Sequence, residues 1–125
     1  MAAGDVKGDN FYAKKMTAGA AITKGQVVHF ESDGKWDPVV DTDTGKFGVA
    51  LEAASGDTVE FNCLLWGMVE VTAIAATIAQ GQLVMAGTTG KVALADLAAE
   101  NEVLGTAMEA FGSGGTQTVW VGLLS

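Results

Sequence analysis

The chain has no arginine and only one cysteine, one proline, one histidine and one tyrosine among its 125 residues. Each scarcity closes off a class of function. Six of the seven lysines precede residue 50, and 15 acidic side chains bring the net charge to −8. Nonspecific binding to nucleic acid or anionic lipid uses clustered cations that displace counterions, so this balance opposes both partners. The lone Cys63 has no internal disulfide partner, and its place in the run Phe61 Asn62 Cys63 Leu64 Leu65 marks it for burial. No apolar run reaches the length of about 18 residues that a membrane helix needs, and no basic leader with a hydrophobic core opens the chain. The expectation is a soluble protein with no visible export signal.

Catalytic and ligand-binding patterns are also missing. A nucleophilic triad needs a base beside a Ser or Cys, and the single His29 lies in an expected strand near Glu31 and Ser32. No nucleophile elbow surrounds Ser32, Ser55, Ser113 or Ser125. Asp41 Thr42 Asp43 Thr44 Gly45 resembles the start of a calcium loop, but Gly falls one position early and no Glu closes the loop at position twelve. A solvated hairpin is the better reading. Gly34 Lys35, Gly45 Lys46 and Gly90 Lys91 lack the remaining residues of a phosphate loop and read as turn ends. Glu52 and Glu109 hold equivalent places in two similar segments, which says nothing of their separation. No catalytic residue, cofactor or metal ligand is expected, and the chain does not read as an enzyme.

What the sequence has instead is a pattern said twice. Ile22, Gly25, Gln26, Val28, Gly34 and Lys35 return 56 residues later as Ile78, Gly81, Gln82, Val84, Gly90 and Lys91. Gly48 Val49 Ala50 Leu51 Glu52 Ala53 is answered by Gly105 Thr106 Ala107 Met108 Glu109 Ala110, one residue further on. Duplication on this scale predicts two similar supersecondary motifs sharing one core. The expected organisation is a flexible arm over 1–10 and a single β domain over 11–125, with repeats of about 11–66 and 67–125. The arm reads as polar and small, with too little apolar content to fold by itself.

Within each repeat the periodicity is that of strands. Val59, Phe61, Cys63 and Leu65 alternate with Thr58, Glu60 and Asn62, and Val119, Val121 and Leu123 alternate with Thr118 and Trp120. Residues 26–31 and 35–40 flank Ser32 Asp33 Gly34, a hairpin signal because Asp-Gly tolerates positive φ. Residues 82–86 and 91–94 flank Gly87 Thr88 Thr89 Gly90 in the same way. Only 73–79 and 96–100 admit a short helical turn, the second with Asp96 as cap. The fold class is therefore all-β, a small barrel or sandwich built from two internally repeated β units. Ala contributes 20 residues and Gly 17, while charged residues make up only 18%, so the surface is short of polar cover and a homo-oligomer is expected. Trp36, Trp66 and Trp120 fall in three different strands, which favours core and interface places over a sugar-stacking platform.

The runs Lys46 to Ala53, Gly56 to Glu60, Gly67 to Val71 and Ile78 to Val84, with Val103 to Ala110 and Val119 to Leu123 closing the chain, resemble a family of small tailed-phage proteins. This is the phage capsid decoration, or cement, family, some members of which carry head-fibre or recombinase labels. A strand-exchange ATPase needs a phosphate loop and a basic DNA track, and neither is present. The resemblance implies a virion protein, made in the host cytoplasm, that sits as a homotrimer on the outside of an icosahedral head and clamps the major capsid protein lattice. Its rival is a capsid-displayed appendage that binds the host surface or glycans. Asn10, Phe11, Tyr12, Lys14 and Lys15 are the expected capsid-binding residues, the two lysines facing an acidic shell.

Overall fold

The computed structural model describes residues 3–39, 46–74, 77–94, 103–112 and 114–122. Nine strands form in chain order: β1 (Val6–Thr17), β2 (Val27–Phe30), β3 (Trp36–Pro38), β4 (Phe47–Ala50), β5 (Glu60–Thr72), β6 (Leu83–Ala86), β7 (Val92–Leu94), β8 (Val103–Ala107) and β9 (Thr116–Val121). They make one strongly curled antiparallel sheet, a half-barrel, in the order β3-β2-β4-β5-β9-β8-β6-β7, with β1 paired to β5. The all-β expectation holds. The curl is tight enough that Trp36 bridges back to Ala18, and Val92 to Ala73, both in parallel pairing.

Local sequence explains the curl. Short strands of β-branched and small residues end at glycine turns, and the closest strand approaches occur where a side chain is absent. A Cβ on Gly105 would run into the carbonyl oxygen of Trp120, and one on Gly48 into the Cys63 thiol. Glycine at both places lets β4 approach β5, and β8 approach β9, without prying the pair apart.

Two apolar cores lie on opposite sides of the first half of the sheet. Ala18, Ile22, Val28, Trp36, Ala50, Ala54, Phe61 and Cys63 form one, with Met16 and Leu65 packed against it. The larger core gathers Val71, Ile78, Val84, Val92, Leu104, Phe111, Val119 and Val121, and it also takes Val27, Val49 and Leu64 from the first half. Successive side chains of a strand point to opposite faces, so adjacent Val27 and Val28 serve different cores. Each fully buried side chain of this size contributes about 1.5–3 kcal/mol.

Backbone and side-chain bonds recur along the chain. Ile22 and Ala54 exchange both backbone hydrogen bonds, as do Ile78 and Phe111. Gln26 Oε1 accepts from Thr23 N at 2.8 Å, and Gln82 Oε1 accepts from Ala79 N at 2.7 Å. Asn62 N donates to Glu52 Oε1, and Thr118 N to Glu109 Oε1. The residue 66/67 boundary falls inside β5, which runs unbroken from Glu60 to Thr72.

Three expectations need correction. Val6 to Asn10 belong to β1 and do not hang as an arm: Val6 pairs with Val69, Gly4 N donates to Glu70 O and Glu70 N to Asp5 O. Composition hid this because a strand added to an existing sheet gains its hydrogen bonds from the backbone, whatever its side chains. Over 73–79, Ala73 bridges Val92 and Ile78 bridges Phe111 in extended pairing, so the described part of that segment holds no helical turn. Thr88–Gly90 does form a single 3-10 turn, whereas 96–100 and Asp41–Gly45 lie outside the described residues. Val59, expected on the buried face, precedes β5 and is 37% exposed, beside Thr58 at φ 70°.

Candidate functional site

β1 carries all five expected capsid-binding residues, so the fold does bring Asn10, Phe11, Tyr12, Lys14 and Lys15 onto one strand. Among the described residues the strand pairs with β5 alone, which leaves it as a sheet edge. Its register with β5 shifts on both sides of Tyr12, between Lys7 and Ala13. Phe11 is 43% exposed and Tyr12 54%, while Lys14 and Lys15 are both exposed opposite Cys63 and Asn62. Lysines along an edge also block uncontrolled strand addition. The result is an aromatic and cationic strip on an otherwise acidic protein.

Beside the strip lies an indole pair. Tyr12 pairs with Trp66, whose ring meets Trp120 edge-on with centroids 4.8 Å apart at 82°. Both rings are half-buried, and Trp120 Nε1 is buried without an acceptor among the described residues. Trp36 is elsewhere, 3% exposed in the smaller core against Phe30. The three tryptophans therefore share no platform.

Sequence reasoning missed Glu70. Its carboxylate is fully buried, accepts from Thr118 Oγ1 at 3.2 Å, and lies 3.7 Å from Lys7 Nζ. A charge removed from water in this way needs a partner, and Lys7 on β1 supplies it. The signal was present in Gly67 Met68 Val69 Glu70 Val71, where a carboxylate sits in a strand long enough to be central.

The remaining candidates resolve into structural roles. Glu52 and Glu109 each accept a backbone N–H from the neighbouring strand, at 2.8 and 3.3 Å. His29 Nδ1 lies 3.6 Å from Glu31 Oε2, and its ring is 5.7 Å from that of Phe47. A hydrogen bond with Asp37, reinforced by burial and like charge, raises the Glu31 carboxyl above its ordinary range. Burial pushes the Cys63 thiol up to about 12, which makes it a poor nucleophile. Thr23, Lys24, Gln26, Thr72, Thr89 and Lys91 line a shallow cleft of about 250 Å³ where the two parts of the chain meet.

The sequence profile for the phage cement protein matches residues 8–123. The chain belongs to the phage cement protein family. Membership gives it a capsid-associated decoration role and a place on the virion. The structure is also similar to the head fiber gp8.5 N base of bacteriophage phi29, with a TM-score of 0.66, 16% identity, and coverage of 90% of this chain and 95% of that one. At that identity the likeness is one of fold. A search of curated proteins finds no match.

Proposed function

We propose that this chain is a structural protein without enzymatic activity that binds the outer surface of an icosahedral phage head as a homotrimer and holds neighbouring major capsid protein subunits together. The observation that carries the reading is the β1 edge, along which Phe11, Tyr12, Lys14 and Lys15 are all exposed, on a family member of net charge −8. Binding to the assembled lattice and not to loose subunits stabilises the shell by mass action, by about 2.7 kcal/mol per site when ligand is at a hundred times its dissociation constant. The two parts of the chain act as pseudo-equivalent β units, a reading supported by the matched hydrogen bonds of Gln26 and Gln82, and of Glu52 and Glu109.

Removing Met1 to Lys15 would strip one edge of β5 of most of its pairing with β1, so point substitutions are the cleaner test. The combination Phe11→Ser, Tyr12→Ser, Lys14→Glu and Lys15→Glu should leave the β-sheet circular dichroism spectrum intact and abolish cosedimentation with undecorated heads. Undiminished cosedimentation would refute β1 as the attachment strand. A glycan-binding appendage draws less support, because Trp36 is in the core and Trp66 and Trp120 face one another.

A further inference from the structure

One row of cross-strand partners runs across each half of the sheet. In the first, Val27 on β2 pairs with Val49 on β4, which pairs with Leu64 on β5. In the second, Leu83 on β6 pairs with Thr106 on β8, which pairs with Trp120 on β9. The members lie 56 or 57 residues apart in chain order. Every residue of the first row is fully buried, while every residue of the second is half-exposed.

The first row is covered by the second half of the same chain. Gln26, next to Val27, donates from Nε2 to Thr89 O at 3.4 Å, and Gly90 N donates to Val39 O at 3.2 Å. A Cβ on Gly90 would meet the Gln26 side chain. The turn Thr88–Gly90 is thus a seat for the first half. The turn at matching positions, Ser32 to Gly34, is exposed throughout, and a Cβ on Gly34 would meet nothing within 4 Å. Gln82, the match of Gln26, is exposed as well.

A contact between two different surfaces of similar units leaves one donor face and one acceptor face unused at its ends. We infer that the row Leu83, Thr106 and Trp120, with Gln82 at its rim, docks over the turn Ser32–Gly34 of a second copy of this chain. In the homotrimer proposed above, copies joined in this way would form a ring of six similar β units. The occupant is a second copy because the same contact already exists within the chain, between Gln26 and Thr89. A half-exposed leucine and tryptophan are the anchors that a subunit interface uses. This inference rests on the proposed self-association and assigns the surface that performs it.

The test is cysteine pairing in a Cys63→Val background. Gln26→Cys with Thr89→Cys should form a disulfide within one chain and serves as the control. Gln82→Cys with Asp33→Cys, the matching positions, should give a covalent ladder ending at three chains under mild oxidation. Mixing the two single variants should pair Gln82→Cys chains only with Asp33→Cys chains. Like-with-like pairing would contradict a head-to-tail contact. An oligomer by light scattering that fails to cross-link, while the control does, would overturn this interface and leave self-association standing. A monomer at every concentration would overturn both. Loss of head binding by Trp120→Ser in an unchanged oligomer would also overturn it, by giving that face to the shell.

Discussion

Leu64 on β5 and Trp120 on β9 hold matching places in two stretches of sheet with the same order of partners, yet Leu64 is sealed in the core and Trp120 is half-exposed. The difference lies in the neighbours. The outer row of the first half packs against residues of the second half, whereas Leu83, Thr106 and Trp120 stay half-exposed among the described residues. A similar contrast separates Lys15 from Glu70, which occupy comparable places on the first strand of each half: β1 leaves Lys15 at the edge, whereas its own N-terminal portion covers Glu70. Similar strand pairings thus end in different burial, set by what packs over each one.

Substitutions test how each half is held together. Gly105→Ala, which drives a Cβ into the Trp120 carbonyl, should lower unfolding free energy by about 3 kcal/mol in urea titrations. Phe61→Ala, in the smaller core, should cost about 3–5 kcal/mol if the surroundings stay rigid, and less if Ala54 and Trp36 collapse onto the gap. Lys7→Met leaves the buried Glu70 carboxylate with Thr118 alone, and chemical denaturation should show a loss of about 1–3 kcal/mol. Gln26→Ala removes two contacts and Gln82→Ala only one, so the first should destabilise by about 1 kcal/mol more than the second.

The smallest effect concerns Cys63, which pairs with Ala50 as Val119 pairs with Ala107. Cys63→Val should be tolerated with a change of less than about 1.5 kcal/mol. The wild-type thiol is raised from 9.0 to about 12, so its neutral form is favoured by folding. That contribution is fully present below pH 9 and is lost as pH rises through 12. A denaturation series over this window should show a decline in the wild type that is shallower in Cys63→Val.

Particular residues show how much was legible beforehand. The alternation of Phe61 with Cys63, and of Val119 with Val121, placed their buried faces correctly, because a half-buried strand imposes a period of two. The Ser32 to Gly34 hairpin was equally readable from Asp-Gly chemistry. β1 was legible only from Phe11 onward. Its beginning joins β5 by backbone bonds, and its register breaks around Tyr12, so no side-chain period marks it. Trp36 was expected in the core or an interface and lies in the smaller core, but its parallel bridge to Ala18 joins distant segments and has no local pattern. At the candidate site, the five β1 residues could be named from sequence. Glu70, beside the start of β1, left a signal as a carboxylate in a long apolar strand, but its full burial depends on Gly4 to Lys7 crossing it.

The most direct test is a cryo-electron map of phage heads decorated with the full chain. The account predicts that the β1 edge, with Phe11, Tyr12, Lys14 and Lys15, faces the major capsid protein while β7 lies away from it. A map in which β1 points to solvent and another surface meets the shell would contradict it.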